Sequence, residues 1–240
     1  MNWMSGLCRC FENSSSEEEG RRGRITTRQV GVPDLDQRFN DFAETFNKQQ
    51  ENYECLQEKW QTLMSSYKCA PNSSLSECLQ KIKDEHPFPI LFFDNIPKPN
   101  FDKTPSVTFT QTPPPPLEDH QISLQMKGYN FSLAMTPDDP IPDKLKQTQE
   151  NIKELCQAVK AIVALGPKLE EMINWLLNSE KSLIQTINTE ATTHQESTRL
   201  GSNLRENLSE ALRAKELSPH YREEARKRFN EVAVLSGVEL

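Results

Sequence analysis

Apolar and aromatic residues recur at Leu35, Phe39, Phe42, Phe46, Tyr53, Leu56, Trp60, Leu63 and Tyr67, and Gln49 completes an unbroken alternation of four- and three-residue steps. That spacing keeps one stripe of a helix facing a partner, so it predicts a heptad seam behind Pro33. Its aromatic content is high for a dimeric zipper and implies packing against further helices. Gln49 either sets the register of the seam or is tolerated where water reaches it. Pro71 stops this helix. Ser74-Leu-Ser-Glu77 then forms a capping box, and Leu75, Cys78, Leu79 and Ile82 share one face of a short helix reaching His86.

A second helical pattern starts at residue 143. Leu145, Ile152, Leu155, Val159, Ile162 and Val163 make an amphipathic stripe expected to end near Gly166-Pro167. Leu169, Met172, Ile173, Leu176, Leu177, Leu183, Ile184 and Ile187 form the next. The stripe thins through Ala191, His194 and Leu200, and it resumes at Leu204, Leu208 and Leu212. Ser218-Pro219 restarts a helix with Ala225, Phe229, Val232 and Leu235. His194 is expected to be a partly buried core residue. The charge cluster Arg222, Glu223, Glu224, Arg226, Lys227 and Arg228 is expected to be a solvated face.

Between these regions, residues 87–142 hold 12 of the chain's 16 prolines and cannot be helical. Pro113 to Pro116 form a polyproline II spacer. Ile122, Leu124 and Met126, then Tyr129, Phe131, Leu133 and Met135, alternate about Lys127-Gly128, which predicts a hairpin. A lone hairpin is marginal in water, so it needs a helix face or a partner. The expected fold is mainly α. A coiled-coil helical hairpin (33–86) and a C-terminal helical bundle (143–240) are separated by a proline-rich, largely disordered linker (87–142), behind a disordered tail (1–32).

Composition narrows the functions. With 35% hydrophobic residues, a mean hydropathy of −0.71 and only 8 glycines, the core must be thin. A glycine-dependent nucleotide-binding fold is disfavoured. The net charge of −7, with no strongly basic segment, argues against nucleic acid. No apolar run is long enough to span a bilayer, and no signal peptide opens the chain, so a cytoplasmic protein is expected. Six cysteines match no zinc spacing, and no metal site or cofactor is expected. Carboxylates such as Glu170-Glu171 fall on exposed helical positions, no nucleophile motif occurs, and the chain is not expected to be an enzyme.

Two segments carry candidate chemistry. Cys8 and Cys10 lie among Trp3, Met4, Leu7 and Phe11, a setting for S-acylation, and Arg21, Arg22, Arg24 and Arg28 can add a basic patch for peripheral membrane contact. The alternative is a frayed terminus with unmodified thiols. Ser14, Ser15 and Ser16 each precede a glutamate by three residues, as acidophilic kinase sites do, and phosphate there would oppose membrane contact.

The second segment is Pro105-Ser-Val-Thr-Phe-Thr-Gln-Thr-Pro113. Val107, Phe109 and Gln111 alternate with hydroxyl residues, as in a peptide that adds to a partner's sheet edge. Thr110-Gln111-Thr112 resembles the anchor of peptides bound by the cytoplasmic dynein light chain hub, with Thr108 where many such peptides carry lysine. The resemblance implies a dimeric partner that takes two parallel peptides, Gln111 capping its backbone and Thr110 and Thr112 entering its groove. The expected function is a coiled-coil scaffold or adaptor, oligomeric through residues 35–67, that presents this peptide. The alternative is a small helical subunit of a trafficking or cytoskeletal complex with a passive linker.

Overall fold

The computed structural model describes residues 23–70, 73–85, 122–127, 130–135 and 143–235. They form α1 (Pro33–Ser66), α2 (Leu75–Glu85), β1 (Ile122–Lys127), β2 (Asn130–Met135), α3 (Asp143–Asn178), α4 (Glu180–Glu190) and α5 (His194–Leu235). Most described residues are helical.

The first helix begins and ends by local rules. Pro33 occupies its first position, where a missing N–H costs nothing, and the Val32 carbonyl accepts from the N–H groups of Leu35 and Asp36. At the other end Lys68 turns left-handed (φ 48°), its N–H donates to Ser65 O, and Cys69 N–H donates to Met64 O. That is a Schellman termination with lysine where glycine is usual. The Ser74 box forms as expected, with Ser74 N–H donating to Glu77 Oε2 and Glu77 N–H to Ser74 Oγ.

The α1 stripe is buried inside the chain itself. Phe39, Phe42, Phe46, Gln49, Leu56 and Leu63 are fully buried, and the same core takes in residues of α3 and α5. Cross-contacts fix the directions. Arg38 lies over Trp175, Gln49 Nε2 donates to Ile162 O, Lys59 pairs with Glu154, and the Tyr67 hydroxyl meets Thr148. As α1 advances α3 recedes, so the two are antiparallel. Phe46 and Tyr53 meet Tyr221, and Trp60 meets Arg228, so α1 and α5 are parallel. The regions before and after the linker, expected as separate units, therefore share one core. Gln49 is buried in it and donates a 3.2 Å hydrogen bond to Ile162 O of α3.

Both expected proline breaks are absent. α3 runs through Gly166-Pro167 and α5 through Pro219. Proline removes one hydrogen bond, whereas Leu155, Val159 and Ile162 before Pro167 and Leu169, Ile173 and Leu176 after it all stay buried on one stripe. Burial of several large side chains, each worth about 1.5–3 kcal/mol, outweighs that loss. Gly166 makes room for α5, because a Cβ there would collide with Arg222 Cδ. The breaks fall instead at Ser179 and after Glu190, where Glu196 N–H donates to Thr193 Oγ1 and the Glu196 carboxylate accepts from Thr192. This capping starts α5 and leaves His194 exposed on its first turn rather than in the core.

The hairpin forms in the register Ile122↔Met135 to Lys127↔Asn130. It docks on a helix, as its size requires. Phe131 and Leu133 are buried, Phe131 N–H donates to Cys156 Sγ, and Gln149 Nε2 donates to Leu133 O.

The N-terminal tail needs one correction. Residues 23–31 are an extended strap packed on the helices, with Ile25 and Val30 buried. Its backbone bonds go to side chains from distant helices, which local propensity cannot reveal.

Candidate docking site

The strap lies between the parallel helices α1 and α5 and runs antiparallel to both. Its contacts fall in reverse order: Gly23 O accepts from Arg213, Ile25 meets Asn47, Thr27 meets Asn40, Arg28 meets Asn207, Gln29 meets Asn203, and Val30 meets Asp36. Two asparagines act as bidentate clamps. Asn47 accepts from Ile25 N–H and donates to Ile25 O, each at 2.8 Å, and the buried Asn207 does the same to Arg28. An amide side chain carries an acceptor and donors side by side, so it satisfies both main-chain groups of one extended residue. Gly31 turns the strap into α1 at φ 79°, above Leu200. Arg28, counted above in a basic patch, is paired with Glu206.

A second construction lies beside residues 86–121. Lys144, at the start of α3, pairs with Glu85 at the end of α2 (2.7 Å) and sits 4.1 Å from the centre of the Tyr67 ring. The hydrogen bond that Lys144 donates to Glu85 raises the Lys144 pKa. The Tyr67 hydroxyl contacts Thr148 Oγ1 at 2.8 Å, and burial raises the tyrosine's pKa. On the other side β1 pairs with β2, which is fixed to α3 through Gln149, Cys156 and the 2.6 Å bond from Lys160 Nζ to Asn130. The described residues on either side of 86–121 are thus tied to the first half of α3, Glu85 directly and β1 through β2.

The expected docking residues Val107, Phe109, Thr110, Gln111 and Thr112 lie outside the described residues. So do Cys8, Cys10, Ser14, Ser15 and Ser16. Among the described residues no three His, Cys, Asp or Glu side chains converge as a metal site, and no helix is long and apolar enough to cross a membrane. The four described cysteines, Cys55, Cys69, Cys78 and Cys156, form no disulfide with one another, and burial raises the pKa of Cys55, Cys78 and Cys156. A shallow groove of about 560 Å³ opens beside Gly23 and Arg24, between Ser209 and Glu216, lined mainly by polar groups.

In the charge cluster near the end of α5, Glu223 and Lys227 are exposed as expected of a solvated face, but Arg228 is not. Arg228 is 3% exposed, its guanidinium carbon lies 3.3 Å from the centre of the Trp60 ring, and Glu224 and Glu231 flank it. The asparagine clamps also escaped the sequence reading. Their only sequence signal is that Asn40 and Asn47 share one face of α1, and Asn203 and Asn207 one face of α5, beside apolar stripes.

No family model, curated protein or solved structure matches this chain.

Proposed function

We propose that the chain is a non-enzymatic helical adaptor that presents Thr110-Gln111-Thr112, with Val107 and Phe109, to a dynein-light-chain-like dimer. The observation that carries this reading is that the described residues flanking 86–121 are fixed to α3, Glu85 directly and β1 through β2. A peptide held at both ends of its segment stays with the helical body while it adds as an edge strand to a partner's sheet. The α1 seam is used inside the chain, so pairing of two copies falls to the partner, whose two grooves raise the effective concentration of the second peptide. Acylation at Cys8 and Cys10 would hold this assembly at a membrane surface from the cytoplasmic side, and phosphate on Ser14, Ser15 or Ser16 would weaken that hold.

The second reading, a small helical subunit of a trafficking or cytoskeletal complex, is favoured by the exposure of Trp175, Ile184, Leu212 and Val234, large apolar side chains that a further subunit could cover. Titration calorimetry of the full chain with a dynein-light-chain dimer separates the two. The adaptor reading expects binding that Gln111→Ala weakens at least tenfold. Affinity unchanged by Gln111→Ala, or no binding at all, would leave the subunit reading.

A further inference from the structure

The strap carries a hydroxyl where a charge would break its seat. Thr27 is half-buried and its Oγ1 donates a 2.8 Å hydrogen bond to Asn40 Oδ1 on α1. One turn to either side of Asn40, on the same helical face, stand Asp36 and Glu44. Asp36 already accepts from Val30 N–H. Two cations of the groove are engaged, Arg28 with Glu206 and Arg213 with Glu210, and the third, Arg24, is exposed at its edge. A dianion at Thr27 would lose the hydrogen bond to Asn40 Oδ1 and would stand beside a helical face that carries two carboxylates.

The sequence around Thr27 supplies a means of putting one there. Arg22-Gly-Arg-Ile-Thr-Thr27 sets arginines five and three residues before the hydroxyl, so an extended substrate could seat two guanidinium groups on the acidic subsites of a basic-directed protein kinase. We propose that Thr27 is a phosphorylation site for such a kinase, and that phosphate there frees the strap from the groove between α1 and α5. In the transfer Thr27 Oγ bonds to the γ-phosphorus of MgATP, the bond to the bridging oxygen breaks, the hydroxyl proton passes to the kinase's base, and ADP leaves. The product keeps no proton for Asn40 Oδ1.

The two events are coupled. A kinase needs the main chain around Thr27 in its own cleft, yet Asn47 and Asn207 hold that main chain at Ile25 and Arg28. The strap must open before it is modified, and the modification then favours the open state.

The test treats the full chain with MgATP and a basic-directed serine/threonine kinase, maps the phosphate by fragmentation mass spectrometry, and follows amide hydrogen exchange. The phosphate should map to Thr27. In the phosphorylated chain exchange at Ile25, Arg28 and Val30 should rise at least tenfold, with buried amides of α3 unchanged. Asn207→Ala, or the milder Asn203→Ala, should open the strap without phosphate and speed the modification several-fold. Thr27→Val should take no phosphate at this position and keep the strap protected. Phosphate on Thr26 in place of Thr27, or a modified Thr27 with Ile25 and Arg28 still protected, would overturn the proposal.

Discussion

The guanidinium of Arg228 is stacked against the indole of Trp60, 3.3 Å from ring centre to guanidinium carbon, and is closed in by Glu224 and Glu231. The contact joins the second half of α1 to the end of α5. A buried cation is tolerated only when paired, and here an aromatic face and two carboxylates share that role. Arg228→Ala would leave those carboxylates without their cation and a gap over the ring. It should cost about 2–4 kcal/mol in urea unfolding. Arg228→Lys should recover less than half, because an ammonium lacks the planar fork that spans both carboxylates and stacks on the ring. A double-mutant cycle with Trp60→Leu should give a coupling of about 1–2 kcal/mol.

The clamp at Asn207 predicts a different signature. Asn207→Ala leaves Arg28 N–H and Arg28 O without partners in a half-buried setting. A loss of about 1–3 kcal/mol is expected. Trypsin should then cut after Arg24 and Arg28 faster than in the parent chain. Asn207→Asp should be nearly as damaging, since a carboxylate accepts from the N–H but cannot donate to the carbonyl.

Lys68 holds a left-handed conformation that glycine adopts freely. Lys68→Gly should stabilise the chain by up to about 1 kcal/mol, measured as a higher urea midpoint at unchanged slope. The Lys68 carbonyl still accepts from Lys81 Nζ in that variant.

These features differ in how far the sequence announces them. The α1 seam was legible because a four-three alternation is local and its aromatic residues leave few alternatives. The Ser74 box and the existence of the hairpin were legible for the same reason, each being set within a few residues, whereas Lys127, expected in the turn, ends β1 and pairs with Asn130. Pro167 and Pro219 misled because a local penalty was weighed without the core that overrides it. Thr193 and Glu196 repeat the Ser74 pattern and could have been found. Arg228 lay beyond sequence reasoning, since its partner Trp60 is remote in the chain, and the strap was hidden by contacts such as Arg28 to Asn207, 179 residues apart. The docking tripeptide rests on the sequence alone.

Alkaline stability follows from the tyrosines. Tyr221 stacks on Tyr53 at 4.3 Å, and burial, with the neighbouring Tyr53, pushes its pKa up to about 12. Burial also raises Tyr53 and Tyr67. A folded-state pKa above the unfolded value of about 10 means the stabilisation is complete below pH 10 and is lost as pH rises toward 12. Lys59 and Lys144, raised by Glu154 and Glu85, act in the same direction. Unfolding free energy should therefore fall between pH 10 and 12, and Tyr221→Phe should flatten that fall without abolishing it.

The adaptor reading is tested most directly by sedimentation equilibrium of the full chain, alone and with a dynein-light-chain dimer. With the α1 seam buried in its own core, the chain alone should sediment as a monomer of 27.6 kDa. With the partner it should form a complex of two chains per light-chain dimer, lost in Gln111→Ala. A chain that dimerises alone through residues 35–67, or one that leaves the partner unbound, would contradict the account.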